Sequence, residues 1–579
     1  MSYETEITKS SLTINVVVKI GAEYFSRFQI DSGLIIPTNH LVVSAVTFGA
    51  VSLDLRDIKT TIPTNSIELL DKDNVVTTYL YASGNKYLNT EIEIYTGFIT
   101  GSFPWSDYKL SSRSIIKTID RNNNSYKLST REIISLIDGN LYIRQDDLNG
   151  DITDSQTTIQ LVSSALFPSS GYIKIKNEVI QYTANDILTN ELSGLTRGDL
   201  FSAPDKHKDG DTVFGVKKLE GNPLTLILQL LISPGGGGTY DVLDFGLGIS
   251  QTLIDVTGIE ALRLSTFPSD VYRFYIYNEP SALSFIEKEL VLATNTRLIN
   301  TAGKISLAYI DQTTPIRVLD ENTIIGIPDW NITVDKVVNR IGIKYSYSVG
   351  INTYARTHVV EDTDSINKYG LKLLTYQFKG IQADLNGLSI VKDRATKLIA
   401  RLKDPRNKIS TKTYFSNMDI DLGKTITLQH RYVPGISGMG IDAAMNVLSK
   451  GIDFKSGITT MDLYYTTISA VGITRSGVIA PSPFIVSVAN QRTFDVPEGG
   501  WFNQGYIISI DGELQEIQSV TGNTIVTINP FVVILDNTKR VKFPHYDLVS
   551  EGQKNRYAFI GFNNNVNFAD GKSTYKIVP

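Results

Sequence analysis

Two short segments of the chain contain residues that could bind a phosphate group. Gly423, Lys424 and Thr425 match the end of a phosphate-binding loop, but Met418 stands where that loop requires its first glycine. Residues 234–238, PGGGG, have neither the spacing nor the helix start that a nucleotide cradle requires, so they predict a flexible exit from a helix. Neither segment predicts a nucleotide site.

The candidate metal ligands are five histidines and a group of aspartates. The histidines, His40, His207, His358, His430 and His545, show no zinc-binding spacing. The aspartates fall in the segment DDLNGDITD, residues 146–154, and at Asp71 and Asp73. That segment is similar in composition to a calcium loop but lacks the glutamate at the last position of the loop, so it predicts a solvated linker.

An adhesion-like triplet and three tryptophans are the remaining candidates. Arg197-Gly198-Asp199 predicts a turn in a chain that has no cysteine and no visible signal peptide. Trp105, Trp330 and Trp501 could form sugar-binding platforms, but isolated tryptophans in β-rich surroundings are more typical of core residues. We therefore predict no catalytic residue, no cofactor site and no metal site, and a protein that is not an enzyme.

Composition limits the class of protein further. The chain has 579 residues, which predicts several domains, and its net charge of −5 gives no overall basic field that would attract nucleic acid. The absence of cysteine excludes disulfides, thiol catalysis and iron–sulfur clusters. No apolar run reaches the ~18 residues of a membrane-spanning helix, and no secretory signal is visible. We expect a protein that is made in a cytoplasm.

The elements that would position any functional residue are mostly strands. Alternating stretches rich in β-branched and aromatic residues recur along the chain, such as SLTINVVVKI and TTMDLYYTTI, and Asx-Gly pairs mark turns between them. Apolar stripes at helical spacing predict three helices, within residues 221–233, 280–290 and 389–405. The predicted fold class is mainly β and multidomain.

Changes in composition divide the chain into five predicted ranges. Two larger β-rich domains are separated by a small α+β region, and two small β-barrel modules accompany them. The ranges are 1–152 for the first β-rich domain, 153–218 for an inserted small module, 219–335 for the α+β region, 336–475 for the second β-rich domain and 476–579 for the C-terminal small module.

One hairpin occurs twice, more than three hundred residues apart. GYIKIKNEVIQYT begins at Gly171 and GYIISIDGELQEI begins at Gly505. In both copies a two-residue turn, Lys-Asn or Asp-Gly, is followed by a glutamate, Glu178 or Glu513. Both pairs suit a tight turn in which positive φ is tolerated. Short hairpins resemble one another by chance, but the shared turn favours two copies of one small β module.

Several short motifs follow one another in a characteristic order. SGYIKIKNEVIQYT is followed by LTRG, by a loop with His207 and by GDTVFGV, and GNPLTLILQLL comes next. GKISLAYID, VNRIGIKYSY, ATKLIARLKDP and DIDLGKTITLQH lie further on, and residues 555–579 close the chain. This order resembles that of the central tail-hub proteins, at the tail tip or baseplate, of tailed bacteriophages. The resemblance covers most of the chain, and each motif is short.

The resemblance implies a structural role. Hubs of this kind are homotrimers whose subunits each carry two tube-like β-barrel domains, here 1–152 and 336–475, so three subunits form a pseudo-sixfold ring. The ring would adapt the hexameric tail tube to the threefold tip and line the channel through which viral DNA passes without specific binding. A slightly acidic chain suits such a channel, because phosphate contacts need Lys or Arg.

The resemblance also implies partners and a location. The partners are a second and third copy of the chain, the distal tail and tail tube proteins, the tape-measure protein, and tail spike or fibre proteins. The location is the virion tail tip, after assembly in the cytoplasm of the host bacterium. The two small modules would decorate the ring or contact peripheral baseplate proteins.

Two other functions stay open at this point. A glycan-binding adhesin of the tail tip could use Trp501 and the C-terminal tyrosines. A tail-associated cell-wall hydrolase could use a pair of carboxylates, which leaves only weak traces in a sequence. The lack of a nucleophile–base or metal constellation counts against the hydrolase.

Overall fold

The computed structural model describes two units of the chain, Met1–Ile468 and Ser469–Pro579. The described residues are 3–7, 13–30, 39–41, 43–52, 64–81, 87–100, 103–310, 314–332, 335–405, 407–435, 438–465, 485–496, 502, 504, 507–542, 558–560 and 576–578. Several residues discussed above lie outside these ranges: Trp501, His545 and the first two residues of the second hairpin, 505–506.

Strands dominate the described structure, which confirms the predicted mainly β, multidomain fold class. In the first 152 residues, two short helices, α1 (Tyr3–Glu6) and α2 (Val75–Tyr81), and 3₁₀ turns at Lys72–Asn74, Trp105–Asp107 and Ile133–Ile137 accompany the strands. These strands are β1 Ile14–Ile20, β2 Glu23–Ser26, β3 Asn39–Leu41, β4 Val43–Ser52, β5 Thr64–Leu70, β6 Glu91–Phe98, β7 Lys109–Asn122, β8 Ser125–Glu132 and β9 Gln145–Asp147.

The next part of the chain contains the first small module and most of the helices. Its strands are β10 Thr158–Gln160, β11 Gly171–Ile175, β12 Glu178–Tyr182, β13 Ala184–Asp186, β14 Glu191–Ser193, β15 Thr212–Gly221, β16 Tyr272–Ile276, β17 Thr296–Thr301, β18 Lys304–Tyr309, β19 Val318–Leu319 and β20 Asp329–Ile332. Its helices are α3 Pro223–Ile232, α4 Val256–Thr266, α5 Ala282–Phe285, a π-helical segment Ile286–Val291 and α6 Leu292–Thr294, with a 3₁₀ turn at Gln251–Leu253.

The remaining elements of the first unit return mainly to strands. The strands are β21 Arg340–Ser348, β22 Thr353–Glu361, β23 Leu373–Gln377, β24 Asn407–Tyr414, β25 Thr425–Gly435, β26 Gly438–Asp453 and β27 Ile458–Tyr465. The helices are α7 Thr363–Tyr369 and α8 Gly387–Leu402, with 3₁₀ turns at Ala383–Leu385 and Phe415–Asn417.

All three predicted helices are present. α3 begins after Asn222, whose Oδ1 accepts a hydrogen bond from Leu224 N at 3.1 Å, and Pro223 occupies the first helical position. The second predicted helix is built from α5, the π-helical segment and α6, and the third is α8. The buried residues of α8 lie on one face of the helix, which packs against β21 and β22.

One fourteen-stranded sheet organises the first unit. Its main order is β20-β24-β27-β26-β4-β5-β8-β7-β6-β1-β2-β3, with β25 beside β26 and β19 beside β25. The join lies between β26 and β4, where Ser449 pairs with Ser52 and Asp453 with Thr47. Strands from the predicted ranges 1–152 and 336–475 therefore belong to one sheet, and the five-range division stays a prediction.

Smaller sheets surround this one. β12, β11, β15 and β16 follow one another in a sheet to which β9 also belongs, and β10-β14-β13 completes the first module. β22-β21-β23 forms a three-stranded sheet, and β17 pairs with β18. In the ranges that the structure describes, no helix is long and apolar enough to cross a membrane.

The second unit contains the second small module. Its strands are β28 Ser487–Asn490, β29 Thr493–Asp495, β30 Ile507–Ile510, β31 Glu513–Thr521, β32 Thr524–Thr527, β33 Ala558–Ile560 and β34 Lys576–Val578. The order β28-β29-β32-β31-β30 forms one sheet over an apolar core that contains Phe494, Ile510 and Ile525.

Candidate assembly interface

The chain's own groups occupy the two phosphate-loop candidates. The carboxylate of Asp241 accepts hydrogen bonds from Gly235 N at 3.0 Å and Gly237 N at 3.1 Å. A carboxylate at these amides would repel an incoming phosphate. Gly423 adopts φ 74° and donates its N–H to Val447 O at 2.8 Å, so the Gly-Lys-Thr triplet forms the turn that enters β25.

Two of the candidate aspartates accept hydrogen bonds from neighbouring residues. Asp151 accepts hydrogen bonds from Lys208 Nζ at 2.6 Å and Asp209 N at 3.0 Å. Asp71 accepts one from Thr77 N at 3.0 Å, at the start of α2. Among the described residues, no group of three or more His, Cys, Asp or Glu side chains is placed to hold a metal ion.

The adhesion-like triplet lies in a buried ion cluster of the first module. The carboxylate of Glu178 accepts hydrogen bonds from Arg197 Nε and Nη2, each at 2.7 Å. Its Oε2 also lies 2.7 Å from His207 Nε2. Burial alone would raise the pKa of Glu178, but the hydrogen bonds from His207 and Arg197 outweigh it and lower the pKa to about 2. The LTRG motif and His207 therefore fix the loop that follows β14.

The two small modules share one design. In both, the strand before the hairpin turn pairs with the strand after it, so that Ile175 lies across from Glu178 and Ile510 across from Glu513. The first turn residue adopts φ 51° in both copies. Each glutamate also accepts hydrogen bonds from backbone N–H groups of a loop further along its module. The donors are Gly198 and Asp205, both at 3.1 Å, in the first module, and Val532 and Val533, both at 2.9 Å, in the second.

The two tryptophans within the described residues have different surroundings. Trp105 packs among aromatic rings, with its centroid 4.8 Å from that of Tyr95 and 5.1 Å from that of Tyr108. Trp330 lies on β20 and is 50% exposed. The prediction that isolated tryptophans are core residues fits Trp105 and is wrong for Trp330.

Trp330 marks an uncovered end of the large sheet. It pairs with Ile409, whose side chain is fully buried, so Trp330 points to the face of the sheet that carries the core. Ile332, two residues later, points the same way and is 53% exposed. Within the described residues, no strand pairs with the outer side of β20. Among the described residues, the apolar face therefore reaches the edge of the sheet, where Trp330 and Ile332 are half exposed.

The opposite end of the same sheet is β3. It pairs in parallel with β2, with His40 across from Phe25, and no described strand lies on its other side. The edges at β20 and β3 can each accept another copy, and such head-to-tail contacts close a ring when the rotation allows.

The face of the sheet opposite the core carries several paired charges. Glu93 binds Lys19 Nζ at 2.9 Å and Arg113 Nη2 at 2.9 Å, which outweighs the effect of burial and lowers the pKa of Glu93. At the other end, Lys408 Nζ lies 2.8 Å from Asp462 Oδ2. Lys19, Arg113 and Lys408 on this face are therefore each paired with a carboxylate.

Two carboxyl groups are buried in the first unit. Glu132 ends β8 and lines a cavity of about 340 Å³ together with Lys450 and Asp421. Glu289, on the π-helical segment, accepts a hydrogen bond from Lys379 N at 2.7 Å. Burial raises the pKa of both groups to about 7.

Comparisons with known proteins give matches among solved structures alone. No known protein family matches the chain, and no curated protein matches it. A tail protein from Neisseria meningitidis MC58 is 9% identical with a TM-score of 0.37, covering 78% of this chain and 97% of that one. The 43 kDa tail protein of prophage MuSo2 from Shewanella oneidensis is 10% identical with a TM-score of 0.36, covering 78% and 96%.

A third similar structure is a prophage tail protein from Listeria monocytogenes EGD-e, which is 10% identical with a TM-score of 0.34, covering 79% of this chain and 97% of that one. All three are tail proteins, the class that the sequence motifs resemble. Because the identities and TM-scores are low, the functional conclusion rests on the chain's own residues.

Glu178→Gln should destabilise the first module. The substitution leaves the buried guanidinium of Arg197 without its carboxylate, which costs about 3 kcal/mol or more. We expect faster amide exchange in β11 and β12, measured by hydrogen exchange, while β24 and β27 keep their protection. The matched control is Glu513→Gln, which weakens hydrogen bonds from backbone amides and from the Gln515 side chain but leaves no buried charge unpaired, and should cost about 1 kcal/mol. Equal losses in the two modules would contradict the role assigned to the ion cluster.

The dependence of the unfolding free energy on pH should include a contribution from the titration of Glu289. Its pKa of about 7 in the folded chain lies above the ordinary value of 4.5, so its contribution is complete below pH 4.5 and is lost as the pH rises through 7. Glu289→Gln should reduce the loss of unfolding free energy between about pH 5.5 and about pH 8 by about 2 kcal/mol, measured by denaturant titration. Glu287→Gln, on the same helical segment and half-buried, is the control. An unchanged pH profile for Glu289→Gln would contradict the assignment.

Proposed function

We propose that the chain is a structural subunit of a bacteriophage tail tip or baseplate hub. The observation that carries the proposal is the fourteen-stranded sheet, whose core face reaches the open edge at Trp330 and Ile332 without cover. Large apolar side chains exposed on an edge strand are typical of a surface that another protein covers. The occupant proposed here is a second copy of the chain.

The proposed assembly is a homotrimer closed head to tail. The large sheet takes eight strands from the predicted range 1–152, and the other six begin after residue 317. If each group of strands forms one segment of a tube, three copies provide six segments and a pseudo-sixfold ring. Such a ring would adapt a hexameric tail tube to a threefold tip. β20 of one copy would meet the β2–β3 end of the next, and the closed ring would leave neither of these two edges open.

The polar face of the sheet suits the wall of a DNA channel. Tight binding to DNA requires unpaired Lys and Arg, whose phosphate contacts release counterions. On this face Lys19 and Arg113 share Glu93, and Lys408 pairs with Asp462. DNA would therefore pass along this face without specific binding, which agrees with the net charge of −5.

The remaining parts of the proposal concern partners and location. The ring would contact the distal tail and tail tube proteins and the tape-measure protein, and the small modules would face spike or fibre proteins. The chain would reside at the virion tail tip after assembly in the cytoplasm of the host. We propose no enzymatic activity, because the candidate catalytic and phosphate-binding groups within the described residues serve structural contacts.

Trp330→Asp should weaken the trimer. The substitution places a charge on the apolar face that the next copy would bury, and the loss of a tryptophan anchor typically costs about 2 kcal/mol or more per interface, roughly thirtyfold in affinity. The measurement is the molar mass in solution by multi-angle light scattering over a range of concentrations. We expect a trimer for the unaltered chain and a monomer for the variant at the same concentration.

The control is Val359→Asp, on the edge strand β22 of a different sheet. Val359 is 53% exposed, slightly more than Trp330 at 50%, so the two substitutions change similarly exposed positions. A trimer that survives Trp330→Asp, or that is lost equally in both variants, would contradict the proposed interface.

A further inference from the structure

The first small module carries an exposed apolar surface at one end. Val162 and Leu166 lie on the loop between β10 and β11, and they are 62% and 59% exposed. Ile187 and Leu188 lie on the turn between β13 and β14, and they are 57% and 95% exposed. Contiguous exposed apolar side chains are typical of protein-binding surfaces. We call these four residues the apolar end of the first module.

Hydrogen bonds join the loop to the turn. Ser164 N donates to Asn190 Oδ1 at 3.1 Å, and Asn185 Nδ2 donates to Ser164 O at 3.0 Å and to Phe167 O at 2.8 Å. Within the turn, Asp186 Oδ1 accepts Leu188 N at 2.9 Å. The apolar end is therefore held in place before any partner arrives, which reduces the conformational entropy lost on binding.

The two chain segments that carry the apolar end contain acidic residues and no basic ones. Neither residues 155–173 nor residues 177–196 include a lysine or arginine. Asp186 and Glu191 lie beside the apolar end, and a hydrogen bond from the Thr189 side chain lowers the pKa of Asp186. The rim of this surface is therefore negatively charged at neutral pH.

We propose that the apolar end of the first module binds another protein of the tail. The contact surface of that partner combines an apolar hollow with lysine or arginine side chains. This inference rests on the proposed function, since the partner is a tail protein. The acidic rim would repel anionic lipid and nucleic acid. It would also repel the same surface of a second copy, so a symmetrical contact between two modules is disfavoured.

The test places a photo-cross-linking residue on the apolar end of the full-length chain. Leu188→p-benzoylphenylalanine is introduced, tails are purified and irradiated, and the cross-linked peptides are identified by mass spectrometry. We expect a cross-link to a different tail protein, at a segment with apolar and basic residues. The same residue introduced at Leu264, on α4 and 61% exposed, should not give that product.

A second variant supplies a quantitative readout. In purified tails, Leu188→Asp should lower the amount of the partner protein that the cross-link identified, per copy of this chain, by at least tenfold. The mass of the trimer in solution should stay unchanged. A cross-link to lipid or to a second copy, no cross-link in tails that contain the chain, or unchanged partner content would each overturn the inference. Tails that lack the chain altogether would instead overturn the proposed function.

Discussion

The pairing of β26 with β4 is the contact on which the rest of the first unit depends. It joins strands about four hundred residues apart in sequence and makes one sheet from two β-rich parts of the chain. Because the sheet is continuous, the half-exposed apolar side chains of β20 and the paired charges around Glu93 belong to one sheet. Both features agree with the ring proposed above.

The small modules are stabilised by a different interaction, a glutamate placed directly after a tight turn. In the first module Glu178 is buried with Arg197 and His207, whereas Glu513 binds only amides of its loop and a nearby glutamine side chain. The same backbone geometry therefore tolerates a strong or a weak version of the contact. One hairpin occurs twice because its turn and glutamate fix a loop further along each module, whatever that loop carries.

Much of this fold could be predicted from the sequence, and its limits have physical causes. Alternation predicted the strands, and apolar stripes predicted α3 and α8. Two helices were not predicted: α4, in which Ile259 is the one fully buried residue, and α2, which begins with β-branched residues that favour strands. The joining of the two halves could not be predicted, because strand register between distant segments leaves no local pattern. For the same reason Trp330 was assigned to the core: burial at a sheet edge depends on what lies beyond it.

An open edge of this kind carries a risk of unspecific aggregation before assembly, and β20 is built to reduce it. The strand has only four residues, Pro328 precedes it, and Asp329 and Asn331 occupy its polar face. Short length, a nearby proline and a charge are the usual means by which edge strands avoid unspecific pairing. Backbone pairing alone over so short a strand contributes little. A lasting contact therefore requires a partner that also buries Trp330 and Ile332, and a second copy that continues the same sheet would meet this condition.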